Sequence, residues 1–255
     1  MLTIAAGKRE LVLDPAWASA SGFLPPYRIP GLAGTPLGGW ITPAISLAPR
    51  SPANGPRALS FPGGVLLHTG HPNPGLSSVI RRERAAWRAL GLPVIVHLLA
   101  QDPRELERMG EQLESIEEIG AMEVNLGEVN RDEIPAWIRA AAQSQIPVIA
   151  QFPIGTSADL AARAVQAGAA AVSAGPPRGS LPGPGGRLVG GRVYGPSLLP
   201  FGLRTVEEWS ARVGAPVLGS GGVTSSAARQ AMTDAGASGV ELDTILWTEP
   251  ERMLD

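Results

Sequence analysis

The 255-residue chain contains no cysteine. Disulfides, thiolate metal sites and a cysteine nucleophile or base are therefore excluded. An excess of basic charge is missing too: 21 Lys and Arg stand against 23 Asp and Glu, for a formal net charge of -2, and no Lys/Arg run occurs. With no cationic surplus for a nucleic-acid backbone or an anionic membrane, neither is an expected partner. No uninterrupted apolar run reaches membrane-spanning length, and the opening MLTIAAGKRELVL lacks the long apolar stretch and cleavage site of a secretory leader. A soluble, cytoplasmic protein is the expectation. Aromatic residues make up only 5% of the chain, and its six tryptophans read as packing residues rather than a stacking platform.

What is present is enough apolar material, 44% of residues, for a large core in one domain spanning 1–255. From about residue 86 a unit recurs: a short apolar run, a turn, then an amphipathic helix. PVIVHLL (93–99) precedes a helix that Asp102 caps, with Pro103 in its first turn and Leu106, Met109, Leu113 and Ile116 on one face. AMEVNL (121–126), PVIAQF (147–152), AAVSAG (170–175), PVLGSGG (216–222) and GVELDT (239–244) continue the series, and AWASAS (16–21) and GWITPAIS (39–46) add two strands upstream. Strands that are apolar without alternation are buried on both faces, which calls for a parallel sheet with helices outside. Eight of them in this length predict a closed (β/α)₈ TIM barrel, although the first two units show no clear helix. LTIAAG and ELVLD predict a short N-terminal β-hairpin beneath it. Two Pro/Gly-rich segments, 24–38 and 175–191, interrupt the pattern; the second follows strand six, where a mobile lid and a solvated connection are both open readings.

Barrels of this kind place their chemistry at the carboxyl ends of the strands. The candidates there are Ser19 to Gly22, Thr42 to Ser46, His97, Asn125 to Glu128, Gln151, Ser173, Gly219 to Gly222 and Asp243 to Thr244. Asn125 needs partners for its amide at the end of a buried strand. In a dry pocket the Glu128 carboxyl would rise toward a useful range for general-base work, and as part of the polar run GEVNRDE it would instead be a solvated loop residue. Glu123 is expected to pair with a buried polar group inside the barrel. His68, His71 and His97 are the only histidines, all on the active-site side, where converging imidazoles would suit a divalent metal, yet a spacing of three in a loop guarantees no common direction. No metal site is assigned. The GSGG turn after strand seven and the loop after strand eight together suit a phosphate, but Asp243 sets a carboxylate beside it. Three arrangements follow: the side chain turns away, a cation such as Arg229 compensates, or no phosphate binds.

Several segments, in order and spacing, resemble the dihydroorotate dehydrogenases. WASASGF (17–23) is similar to that family's Ala-Ser-Gly strand, ITPAISLAPR (41–50) to its Thr-Lys-Ser/Thr segment and Pro-Arg, and FPGGVLLHTGHPNPG (61–75) to its Asn-Pro-Gly excursion. EVNLGEVN (123–130) resembles Glu-Leu-Asn-Ile-Ser-Cys-Pro-Asn, while VGGRVYGPSLLPFGLR (189–204), GSGG and VELDT resemble the elements that cradle the flavin phosphate. The resemblance implies an FMN-dependent oxidoreductase acting on a small molecule, and a possible homodimer. Carried over, Ala20, Ser21, Thr42, Asn125 and Gln151 line the isoalloxazine, and Gly191, Gly221, Gly222 and Thr244 meet the ribityl phosphate. Glu128, or one of His68 and His97, exchanges the substrate proton.

The departures fall where that family does its chemistry. Pro43, Gln151 and Leu199 stand at its lysines, Glu128 or Gly127 at its Cys/Ser base, and Leu67 or His68 at the substrate-holding Asn. A neutral Gln151 in place of an ammonium removes charge stabilisation from a reduced flavin, and the lost lysine and Asn remove orotate recognition. Two other readings therefore stand beside the altered oxidoreductase. One is a flavin-free lyase, isomerase or hydrolase using His/Glu acid–base or metal chemistry; the other is a non-catalytic ligand-binding subunit.

Overall fold

The protein is described by a computed structural model that covers residues 1–22 and 37–248. Most of the Pro/Gly-rich segment 24–38 lies outside those residues. Eight parallel strands close into a barrel: β3 (Trp17–Ser19), β4 (Gly39–Ile41), β8 (Val94–Leu99), β9 (Ile119–Asn125), β10 (Val148–Pro153), β11 (Ala171–Gly175), β14 (Val217–Gly219) and β15 (Gly239–Leu242). Pairing of β15 with β3 and of β4 with β8 completes the ring. All eight coincide with the runs picked out by composition. The expected (β/α)₈ barrel is the observed fold.

The predicted hairpin forms as β1 (Leu2–Ala6) and β2 (Arg9–Leu13), paired antiparallel. Its alternating burial turns Leu2, Ile4, Leu11 and Leu13 inward, where they meet Ile41, Ile95, Ala121, Ile149, Ala171 and Leu218 in one apolar cluster. The hairpin thus plugs the amino-terminal floor. Glycine makes the close approach feasible: a Cβ on Gly39 would stand 2.6 Å from Leu13 Cδ2, and one on Gly120 would stand 2.8 Å from Leu11 Cδ1.

Period two then decides what lies above the floor, because residues i and i+2 of a strand point the same way. One pleat up from Ile95, Ala121, Ile149 and Ala171 come His97, Glu123, Gln151 and Ser173, all buried. The barrel interior changes from hydrocarbon to polar within two residues. Outward-facing Val94, Val96 and Leu98 join the layer under the helices.

Helices α2 (Pro103–Glu114), α3 (Ile134–Ala142), α4 (Ala158–Gln166), α5 (Leu199–Ser210) and α6 (Ser226–Asp234) cover that layer, and α7 (Thr244–Thr248) follows β15. Asp102 caps α2 by accepting from the Glu105 amide at 2.9 Å, with Pro103 in the first turn, and Leu106, Met109 and Leu113 are buried as their spacing predicts. A further helix, α1 (Leu76–Leu90), was not evident from the apolar pattern, and its burial explains why: only Leu76 and Trp87 are fully buried in 15 residues. Among the described residues no helix is long and apolar enough to cross a membrane.

Pro43 interrupts the second barrel strand, whose continuation is β5 (Ile45–Ser46). Above the mouth stand four antiparallel strands in the order β12 (Arg178–Pro182), β13 (Leu188–Tyr194), β7 (Gly64–Leu67), β6 (Ala58–Phe61). The segment 175–191 contributes a hairpin, β12 and β13, paired edge to edge with the excursion after strand two.

Leu11 is fully buried in the floor cluster. Leu11→Ala should lower unfolding free energy by about 2–5 kcal/mol, measured by urea denaturation. A loss under about 1 kcal/mol would show that the hairpin does not plug the barrel.

Candidate active site at the barrel mouth

The polar layer is organised by Glu123, which is 0% exposed. Its Oε2 takes His97 Nδ1 at 2.5 Å and Gln151 Nε2 at 3.0 Å, and its Oε1 takes the Ser173 hydroxyl at 2.7 Å. Burial pushes this carboxyl up, but the hydrogen bonds and charge of His97, with Ser173, outweigh it and hold Glu123 below the ordinary range. With Nδ1–H directed at Glu123, His97 Nε2 faces the Asn125 amide at 3.3 Å. The same amide donates to Gln151 Oε1 at 3.1 Å, and Asn125 Oδ1 accepts from the Gly127 amide at 3.2 Å. Thr42 Oγ1 holds the His97 backbone N–H at 3.0 Å. Thus His97, Asn125, Gln151 and Thr42 form one connected set, although His97 is 1% exposed and sits under the mouth rather than in it.

Across the barrel, Glu241 is buried against Glu123. Burial, then the Glu123 charge, push the Glu241 carboxyl well above its usual range. Two carboxyls at close quarters cannot both ionise in a dry interior, so Glu123 carries the charge and Glu241 the proton.

Above this layer a cavity of about 190 Å³ opens at the mouth, lined by Arg50, His68, His71, Glu128, Arg178, Gly191, Arg192 and Tyr194, among others. Arg178 and Arg192 are register partners on neighbouring strands, so both guanidinium groups reach the same space. Arg192 Nη1 donates to His71 Nδ1 at 3.4 Å. Burial first and the Arg192 charge second lower the His71 pKa to about 3, which leaves a neutral imidazole with its Nε2–H as a donor. His71 is also held in the left-handed region, at φ 52°, a conformation uncommon for a residue with a Cβ. Burial of the Tyr194 hydroxyl pushes its pKa up to about 12.

Of the two settings open for Glu128, a dry pocket and a solvated loop, the structure has the second: its side chain is 67% exposed and ion-paired with Arg178 on the rim. His68 lines the mouth cavity, and among the described residues no group of three or more His, Asp or Glu side chains is arranged to hold a metal ion. Arg178, Arg192, Tyr194 and Glu241 were missed by sequence reasoning. The signal for the first three was the alternation hidden in a segment dominated by proline and glycine; for Glu241 it was its parity with Asp243 on one strand face.

The cofactor implied by the resemblance can be tested against these residues. Ala20 is buried and Ser21 half-buried beyond β3, Gln151 is locked to Glu123, and Lys8, the only lysine, lies on the floor hairpin. At the implied phosphate end, two backbone amides, those of Gly222 and Thr244, are engaged by Asp243. Asp243, 4% exposed, accepts the Thr244 amide at 2.5 Å and a hydrogen bond from the Gly222 backbone. Its carboxyl is raised by burial, with these hydrogen bonds opposing the rise. Residues 195–199 pack on the GSGG turn closely enough that a Cβ on Gly222 would stand 2.6 Å from Leu199 N. Arg229 lies over the Trp17 ring, 4.1 Å from its centroid. A phosphate dianion does not fit amides that already serve a carboxylate.

No protein-family model matches the chain. Curated proteins do. The dihydroorotate dehydrogenase B (NAD(+)) catalytic subunit of Trichlorobacter lovleyi is 27% identical over 237 residues, covering 84% of this chain and 77% of that protein. The corresponding subunit of Geotalea uraniireducens is 26% identical over 238 residues with the same coverage. That of Pyrococcus furiosus is 27% identical over 238 residues, covering 82% and 75%.

Because Glu241 stays protonated in the fold but ionises near about pH 4.3 when unfolded, its contribution to stability is complete below that pH and lost as pH rises. Glu241→Gln keeps the neutral form at every pH. Its melting temperature should therefore gain on the wild type from about pH 5 to about pH 8. An equal difference at both pH values would mean that Glu241 titrates as an ordinary carboxyl.

Proposed function

We propose, for a chain that is a divergent relative of the dihydroorotate dehydrogenase B catalytic subunits, that the barrel mouth takes a compact anionic molecule and carries out proton-transfer chemistry on it without flavin. One observation carries this reading: three arginines, Arg50, Arg178 and Arg192, face a cavity of about 190 Å³ against a single carboxylate, Glu128. That volume is below the roughly 300 Å³ at which drug-sized ligand sites begin, so the ligand is a small carboxylate or a molecule of similar size. Guanidinium groups match a carboxylate in geometry and charge.

The other groups then have definite roles. His71, neutral and oriented by Arg192, presents Nε2–H to a carbonyl or carboxylate oxygen, where it favours developing negative charge. His68, or Glu128 once a ligand carboxylate competes for Arg178, takes the substrate proton. Asn125 holds His97 from above, and the Glu123 charge holds it from within the same layer. The reaction class is an isomerisation or elimination on a small carboxylate.

A second reading, an FMN-dependent oxidoreductase with an altered substrate, is favoured by the dehydrogenase relatives and by the position of Thr42, Asn125, Gln151 and Gly191 near the mouth. FMN would supply hydride chemistry if bound. Against it stand the amides taken by Asp243 and the neutral, engaged side chain of Gln151.

The purified protein should be colourless, and carboxylates of roughly three to five carbons should raise its melting temperature. Arg192→Gln should abolish that rise. A yellow protein holding stoichiometric FMN would establish the second reading, and no response to any carboxylate would refute the first. Separately, the wild type should bind FMN no better than riboflavin, while Asp243→Gly should favour FMN by about tenfold or more. If the wild type already discriminates, Asp243 does not block the phosphate.

A further inference from the structure

Granted that the mouth binds a small carboxylate, on which this inference rests, we propose that its ligand is a compact dicarboxylate, with one charge held by Arg192 at the inner end and the other by Arg178 at the outer end. The cavity of about 190 Å³ is out of charge balance: its described lining holds three guanidinium groups, Arg50, Arg178 and Arg192, and one carboxylate, Glu128.

Two positive charges are left over. His71 offsets neither, since burial and then the Arg192 charge lower its pKa to about 3 and leave the ring neutral. Tyr194 offsets neither, since burial pushes its hydroxyl up to about 12 and keeps the proton on. His68, the remaining titratable group of the lining, can add only positive charge. The carboxylates beneath the cavity are already answered, Glu123 by His97, Gln151 and Ser173, and Asp243 by the backbone at Gly222 and Thr244. Burial holds the Arg192 guanidinium below its ordinary range, and repulsion from Arg178 and Arg50 adds to the effect. A ligand of one charge leaves part of that repulsion standing. A ligand of two charges balances it.

The rim sheet spaces the two charges. Arg178, Arg192 and Leu67 are register partners across β12, β13 and β7, so their side chains stand in one row on one face, and all three line the cavity. Tyr194, two positions beyond Arg192, belongs to the same face. Along the row Arg178 is exposed and shares the rim ion pair with Glu128, whereas Arg192 is half-buried and reaches His71 Nδ1 at 3.4 Å. One carboxylate therefore meets Arg192 and the Nε2–H of His71, and the second meets Arg178 at the solvent edge. Leu67 brings an apolar surface to the row, which suits a short carbon chain.

The test is isothermal titration of the intact protein near neutral pH and at fixed ionic strength, with succinate, its monomethyl ester, butyrate and inorganic phosphate as probes. Succinate should bind at least about tenfold more tightly than the monoester or butyrate. Arg178→Gln should cut that advantage to less than about threefold while changing butyrate affinity little, because a single carboxylate needs only the inner arginine. If the variant fails to fold, succinate against its monoester on the wild type carries the test alone. Equal binding of those two overturns the dicarboxylate while leaving the mouth a carboxylate site; no binding by any of the three carboxylates overturns both. Phosphate binding as tightly as succinate overturns the separation of the charges, and a succinate preference that survives Arg178→Gln overturns the outer anchor.

Discussion

A single ionised carboxylate inside the barrel sets the terms for everything around it. Glu123 is fully buried, and a buried charge persists only when donors surround it. Those donors come from three other strands: His97 from β8, Gln151 from β10 and Ser173 from β11. Each is therefore committed before any ligand arrives. His97 is turned by Glu123, Asn125 by His97 and Gln151, and Glu241 must keep its proton because Glu123 has lost one. The site is less a set of independent side chains than one network with a fixed charge at its centre.

The barrel was legible because both faces of its strands are apolar over enough length to mark them as buried, and because Asp102 and Pro103 announce their helix in the usual way. The change from Ile95 to His97, or from Ala121 to Glu123, is visible in the sequence once the parity is known, and it locates the polar layer. Arg178 and Arg192 were not legible. Their meeting depends on pairing between β12 and β13, and the glycines and prolines of that stretch weaken its strand signature. The setting of Glu128 stayed open for a related reason: its exposure depends on which way the loop after β9 leaves the barrel, and nothing local in GEVNRDE encodes that direction. Helix α1 was hidden because it buries too little to show a stripe.

At the positions where the family resemblance implies lysines, the chain has Pro43, Gln151 and Leu199. Gln151 is tied to Glu123 and Asn125, and Pro43 gives up strand pairing altogether. Asp243 turns a turn rich in free amides into a closed internal contact. These changes point the same way. Three arginines, Arg50, Arg178 and Arg192, line the rim, where their charge meets solvent and whatever solvent carries.

The sheet formed by β12, β13, β7 and β6 adds a constraint in time. Arg192 and His71, the pair that orients the mouth, lie 121 positions apart, and the loop carrying His71 is brought to β13 by the β7–β13 ladder. A ribosome must release most of the barrel before that ladder can close. Half-made chains consequently possess neither the rim ladder nor the β15–β3 pairing that closes the barrel, and the rim strands are complete before the last two barrel strands are made.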